Sequence, residues 1–231
     1  DSAHQMPPFL GQGLCQGIKD VYNLHWKLDG VLRGKYTNKV LETYSDERIS
    51  IVKLVTETAI KNGGVIGTQN KYVALIRDTL LKVARIFPKL LSFVEFYHPW
   101  QIKNGLIDKS LYPNKANGIV ISQPNLDFKV DNKSFDQYIG YNFALIVFDQ
   151  NEKLLNDIKA LESSKIFEDN IYLINKDSPF NEDSNFIKWK RDNKISAVII
   201  RPDRHVYGCC DNESMITKVD ELNKKLISEL T

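Results

Sequence analysis

Residues Asp1 to Leu28 read DSAHQMPPFLGQGLCQGIKDVYNLHWKL. Two prolines and a glycine-rich turn run straight into a segment with helical periodicity. Apolar residues recur at Leu14, Ile18, Val21, Leu28 and Leu32, in steps of three, four and seven that mark one helix face. Gly11, Gly13 and Gly17 mimic a dinucleotide fingerprint, but their spacing is G-x-G-x-x-x-G, one residue too long, and no strand precedes them. A Rossmann phosphate loop is therefore excluded. What remains is a helix whose first N–H groups lack an internal partner and whose dipole leaves that end partly positive, suited to an oxygen that gains negative charge. The competing reading is a glycine cap on an ordinary packed helix.

Working outward, the first 118 residues read as mostly helical. Gly34 stops the first helix. A second starts after Asn38, with Leu41, Tyr44, Ile51, Leu54 and Val55 before a break at Asn62-Gly63-Gly64. A third runs from Asn70 with Val73, Ile76, Leu80, Val83 and Phe87 on one side, ended or kinked by Pro88. Leu90 to Tyr97 is a short helix or its continuation, closed by His98-Pro99. The character changes near Asn117-Gly118. There follow a strand at Phe143–Phe148, a helix at Asn151–Leu161, a strand at Ile171–Ile174, a loop with Pro179 and a short helix at Phe186–Arg191. An apolar run Ala197–Ile200, a turn at Pro202-Asp203, a return strand His205–Cys209 and a helix Glu213–Leu230 complete the chain. This is the element order of a thioredoxin-like fold. The fold class expected is α/β (α+β): a helical part over 1–117 and a thioredoxin-like α/β domain over 118–231.

The bulk numbers narrow the function. A hydrophobic fraction of 42% with 26% charged residues is that of an ordinary globular chain. A net charge of +2 gives no field for nucleic acid or an anionic membrane, so neither is expected as a partner. Cys15, Cys209 and Cys210 are odd in number and too few for a disulfide framework, which points to a reducing, cytoplasmic setting. The N-terminus does not read as a signal peptide, and no run reaches the roughly 20 apolar residues of a membrane span. His4, His25, His98 and His205 show no metal-ligand spacing, so no metal is expected. Tyr44 and Arg48 read as a stacked or ion-paired helix surface. Arg201-Pro202-Asp203-Arg204 reads as hairpin-turn chemistry, and Trp26, Trp100 and Trp189 as packing residues.

Asp1-Ser2-Ala3-His4, Pro7-Pro8, Gly11-Gln12-Gly13, Asp20, Asn23 and Trp26-Lys27-Leu28 together resemble the second flavin motif of class A flavoprotein monooxygenases. The likeness is to the branch containing 3-(3-hydroxyphenyl)propionate hydroxylase and phenol hydroxylases. It continues through Leu41-Glu42-Thr43-Tyr44, Glu47-Arg48, Arg77-Asp78, Gln123-Pro124, Ile139-Gly140-Tyr141-Asn142-Phe143-Ala144 and Arg201-Pro202-Asp203-Arg204. The resemblance implies that Asp1 accepts hydrogen bonds from the ribityl hydroxyls of FAD. It puts the backbone at Pro7 and Pro8 along the isoalloxazine ring, with the Pro8 carbonyl facing a phenolic substrate. Gly11 and Gly13 let a flat ligand approach the backbone, and the amides of Leu14 and Cys15 face the pyrimidine edge of the flavin. The implied activity is hydroxylation of a phenolic compound through a flavin hydroperoxide, with NADH or NADPH as co-substrate.

The family's G-x-G-x-x-G phosphate loop and the Asp-Gly motif at the pyrophosphate are absent from these residues. The expectation is therefore the C-terminal part of such an enzyme, catalytically inactive by itself, with FAD held by the full-length parent. No catalytic residue is assigned within this stretch. A redox-active thioredoxin carries C-x-x-C at a helix N-terminus; here the corresponding residues are Asp149-Gln150-Asn151-Glu152, so the C-terminal domain is expected to be redox-inactive and to serve packing or assembly, including a homo-oligomer. The alternative function is a non-catalytic thioredoxin-like assembly or binding module without flavin.

Overall fold

The computed structural model describes residues 3–86, 101–123, 134–176, 178 and 184–231. They fall into two compact units: Asp1–Val21 with Ile49–Trp100, and Tyr22–Arg48 with Gln101–Thr231. The division cuts through two long helices, α1 (Gly13–Leu32) and α2 (Lys39–Ile66).

The first unit holds the N-terminal loop, the start of α1, the end of α2 and α3 (Lys71–Ile86). Asn70 starts α3 as expected, its side-chain oxygen accepting from the N–H groups of Tyr72 (3.0 Å) and Val73 (3.4 Å). Arg77 donates from Nη1 to the carbonyls of Val65 (3.0 Å) and Ile66 (2.9 Å), the orphan acceptors at the end of α2. The expected break at Asn62-Gly63-Gly64 does not occur: α2 runs on to Ile66. Gly63 lies so close to the Phe9 ring that an added Cβ would sit 2.3 Å from it, so the glycine serves packing rather than termination. Pro88, Phe87 and the apolar stretch 90–97 lie outside the described residues.

The apolar stripe expected to bury α1 is also corrected. Leu14, Ile18, Val21, Leu28 and Leu32 are exposed, whereas Gln16, Asp20, Asn23, Trp26 and Lys27 are buried. On α3, Val73, Ile76, Leu80 and Val83 are exposed as well. On α2 the buried stripe is Val40, Ile51, Val55 and Ala59, and Leu54 faces outward.

The second unit is built on a four-stranded sheet: β1 (Ala144–Val147), β2 (Ile171–Leu173), β3 (Ala197–Ile200) and β4 (Val206–Cys210), in the order β2-β1-β3-β4. β1 and β2 are parallel, with Leu145 opposite Ile171; β3 runs antiparallel to β1 and β4, with Val198 opposite Ile146 and Cys209. A short helix α4 (Phe135–Ile139) precedes β1, opened by a capping box between Ser134 and Gln137. Helix α5 (Glu152–Lys159) connects β1 to β2, α6 (Ser184–Asp192) leads toward β3, and α7 (Met215–Leu230) ends the chain. This is the thioredoxin arrangement anticipated from the element order.

Both faces of the sheet are covered, which is why β1 and β3 read as unbroken apolar runs. Leu145, Val147, Ala197 and Ile199 pack with Ile158 of α5 and with Val219, Leu222, Leu226 and Leu230 of α7. Ala144, Ile146, Val198 and Ile200 pack with Phe135, Ile139 and Phe186. Residues 101–118, counted with the helical part in the sequence, carry no helix. They cover the free edge of β4 instead: Gly118 donates to the Val206 carbonyl, Val206 to Ile119, and Asp108 to Tyr207, at 2.7–2.9 Å.

Candidate functional site

The loop before α1 is organised by local backbone chemistry. Pro8–Leu10 forms a 3-10 turn, and Gly11, at φ 61° and ψ 23°, closes it by donating to the Pro8 carbonyl at 2.9 Å. That left-handed conformation favours glycine. One lone pair of the Pro8 carbonyl is thereby used and one remains. Gly13 opens α1, and Gln16 N–H makes the first helical bond, to Gln12 O, at 2.9 Å. Behind the loop, His4 Nδ1 lies 3.1 Å from Asp20 Oδ2, pinning the segment to the second turn of the helix.

Of the residues singled out from the sequence, Asp1 lies outside the described residues. Pro7 is half-buried; Pro8, Gly11, Gly13, Leu14 and Cys15 are exposed. Among the described residues no acceptor meets the N–H groups of Leu14 or Cys15. A Cβ placed on Gly11, Gly13 or Gly17 would meet no other atom within 4 Å, so open space lies over this turn. The described protein does not plug the positive end of α1 with its own side chains. Free amides at the helix start, open space above two glycines and a proline-stiffened approach fit the edge of a flat, electron-rich ring.

A second constellation, in the other unit, was not foreseen. Glu47 is fully buried and accepts hydrogen bonds from Lys27 Nζ (2.9 Å), Asn23 Nδ2 (2.6 Å), Leu106 N–H (2.9 Å) and both terminal nitrogens of Arg201 (2.9 and 2.7 Å). Asp203 accepts from Arg201 Nε at 3.0 Å and Nη2 at 2.6 Å and from Asn23 at 2.9 Å, and the Leu106 carbonyl accepts from Arg201 Nη1 at 2.9 Å. Arg201-Pro202-Asp203-Arg204 does make the tight hairpin turn, Arg204 N–H donating to Arg201 O at 2.9 Å, but its side chains also enter the interior. Reading it as turn chemistry alone is corrected. So is the placing of Arg48 on a helix surface: it is buried, with Tyr44 half-buried.

Burial pushes the Glu47 carboxyl up, but the Arg201 charge and hydrogen bonds, helped by Lys27, outweigh it and hold the pKa at about 2. Asp203 is likewise held well below the carboxylate range: burial opposes this, and the Arg201 charge prevails. Lys27 is pushed down to about 8, by burial first and the Arg201 charge second, against the pull of Glu47. Two cations and two carboxylates thus share one buried cluster. Because the unfolded chain binds a proton at Glu47 first, near 4.5, its contribution is complete above that pH and is lost as pH falls toward about 2. Urea titrations of the wild type and Glu47→Gln are expected to differ widely at neutral pH and to converge across that window.

Among the described residues no group of three or more His, Cys, Asp or Glu side chains could hold a metal, and no helix is long and apolar enough to cross a membrane. Cys209 and Cys210 are buried in β4, and Cys209 Sγ sits 3.2 Å from Asn117 Oδ1. Burial raises both thiols, Cys210 to about 12. Cys15 is exposed. A thiol reagent is expected to label one cysteine in the native protein and all three after unfolding; rapid labelling of two or more would contradict the packing of β4.

Comparison with known proteins gives the chain its relatives. Residues 1–59 match the family model of an FAD binding domain, and residues 118–225 that of the HcaD C-terminal domain. A 3-(3-hydroxy-phenyl)propionate/3-hydroxycinnamic acid hydroxylase of Mycolicibacterium smegmatis is 34% identical over 161 residues, 67% of this chain and 29% of that protein. The protein of the same name from Burkholderia cenocepacia is 30% identical over 237 residues, 93% of this chain and 43% of that one.

Two solved structures share the fold. The flavin-dependent monooxygenase PieE, in complex with FAD and substrate, has a TM-score of 0.65 at 18% identity, over 98% of this chain and 46% of that one. RebC, soaked with chromopyrrolic acid, has a TM-score of 0.66 at 18% identity, over 99% and 44%. The chain is thus related, over most of its own length, to proteins named as hydroxylases, it matches an FAD binding domain over residues 1–59, and it spans less than half the length of these relatives.

Proposed function

We propose that this chain supplies the flavin-edge motif and the C-terminal domain of an FAD- and NAD(P)H-dependent monooxygenase that hydroxylates a phenolic compound. The observation that carries the reading is the open start of α1, where the amides of Leu14 and Cys15 meet no acceptor among the described residues and the glycines beside them are uncrowded. Those amides would meet the pyrimidine edge of the flavin and stabilise negative charge there, as preorganised backbone donors do. The backbone at Pro7 and Pro8 would lie along the ring, and the remaining Pro8 lone pair would orient the phenol hydroxyl. Asp1 would hold the ribityl chain. FAD, where bound, would supply the redox chemistry of a monooxygenase, with NADH or NADPH as reductant and dioxygen as the source of one oxygen atom for the ring and one for water.

The support is the match of residues 1–59 to an FAD binding domain, together with relatives named for hydroxylation of 3-(3-hydroxyphenyl)propionate. The test is made on the polypeptide as its gene encodes it. Flavin is measured after purification and after adding FAD, and NAD(P)H oxidation is followed with and without 3-(3-hydroxyphenyl)propionate. Retained flavin and a reductant consumption accelerated by the phenol, with a ring-hydroxylated product, are expected. Protein that stays colourless with FAD in excess would favour a non-catalytic assembly module.

A further inference from the structure

The turn that carries Pro8 is stiff within itself. Pro7 and Pro8 each fix one backbone angle, and Gly11 closes the turn on the Pro8 carbonyl at 2.9 Å. His4 pins the approach to Asp20 of α1. A further hold comes from α2 of the same unit, where the Phe9 ring lies on Gly63. A Cβ built on Gly63 would come within 2.9 Å of Phe9 Cγ, with two ring carbons closer still. Rotation about χ2 leaves Cγ in place, so the whole side chain would have to move. The adjacent Gly64 has no such neighbour: a Cβ there would meet no other atom within 4 Å. Glycine weakens a helix relative to alanine at either position, and a contact asks for it only at Gly63.

Phe9 is 48% exposed, so its ring adds little to a core. The main consequence of the contact is where it sets the Phe9 backbone, which stands between the Pro8 carbonyl and the left-handed Gly11. We infer that Gly63 is a positioning residue for the flavin-edge loop. It admits the Phe9 ring against α2 and thereby fixes the Pro8 carbonyl and its turn relative to the start of α1. The inference rests on the proposed hydroxylase reading, in which that carbonyl orients the phenol, and it adds a residue about fifty positions from the loop to the machinery that aims it.

The experiment compares Gly63→Ala with Gly64→Ala in the gene-encoded protein, two changes that gain the same helix propensity. The half-exposed Phe9 ring can swing into solvent, so Gly63→Ala should fold, with circular dichroism as the check. 4-Fluorophenylalanine at position 9 supplies a ¹⁹F signal, and ¹⁵N labelling reports the Gly11 amide. Both signals are expected to shift in Gly63→Ala and to stay in place in Gly64→Ala, with or without FAD. In FAD-loaded protein given 3-(3-hydroxyphenyl)propionate, the ring-hydroxylated product formed per NAD(P)H consumed is expected to fall about fivefold or more in Gly63→Ala and in Phe9→Ala. The double variant should lose no more than either single one, because both changes break one contact. Unmoved ¹⁹F and Gly11 signals, a wild-type product yield in Gly63→Ala, or losses that multiply in the double variant would each overturn the inference. Protein that takes up no FAD would defeat the flavin reading and this role with it, whereas any of those three results in flavin-loaded protein would defeat the role alone.

Discussion

Replacing Glu47 with alanine is expected to destabilise the second unit by about 3–5 kcal/mol, the cost of stranding buried charge. The residue itself buries little apolar surface, so the loss comes from what it leaves behind. Arg201 has no exposed surface and would keep only Asp203 as a counter-ion; Lys27, equally buried, would keep only Asn23; and the Leu106 N–H would lose its acceptor. A paired surface carboxylate of this chain, such as Glu162 with Lys165, should cost less than about 1 kcal/mol when replaced in the same way. Urea unfolding of the two alanine variants separates the cases. A Glu47→Ala midpoint close to the wild-type value would mean that water reaches the cluster.

Phe143→Ala is expected to cost about 3–5 kcal/mol as well, by a different route. Phe143 is 1% exposed and stands immediately before β1, packing edge-on with Trp26 of α1 and with Tyr36 (5.4 and 6.5 Å). Its removal opens a cavity where α1 meets the sheet, and the rings on either side are too constrained to fill it. The variant should unfold at lower denaturant with an unchanged m-value, and the Trp26 environment should become more polar. Tyr141, two residues earlier and 75% exposed, is the contrast: its alanine variant should stay within about 0.5 kcal/mol of wild type.

The thioredoxin-like part was legible because each element obeys a local rule. Ala197–Ile200 is apolar throughout because both faces of β3 are covered, and Ile216, Val219, Leu222 and Leu226 keep helical spacing on α7. Local rules failed where distant partners decide. The face of α1 was misjudged because Asn23 and Lys27 are buried with Glu47, which inverts the usual amphipathic logic. Gly63 looked like a stop because nothing near it in sequence announces Phe9. Glu47 and Arg201 are 154 positions apart, so no spacing pattern joins them. Arg48 and Arg201-Pro202-Asp203-Arg204 were noticed, but as helix surface and turn chemistry, and Glu47 stood out only by family likeness. The flavin-edge loop, in contrast, was visible as residues: prolines, glycines and the helix start are consecutive, and backbone performs the proposed role.

The central claim is that the first amides of α1 face the edge of the flavin ring. Leu14→Pro tests it most directly, because proline is tolerated in the first helical turn and removes the amide hydrogen while the exposed side chain contributes little. The quantity to measure is the flavin midpoint potential of the FAD-loaded, gene-encoded protein, with far-UV circular dichroism as the check on folding. Losing a donor to developing negative charge should make the potential more negative by about 30–60 mV, the equivalent of one charge-assisted hydrogen bond in a two-electron couple. An unchanged potential in a folded, flavin-loaded variant, or a wild-type protein that takes up no FAD, would contradict the account.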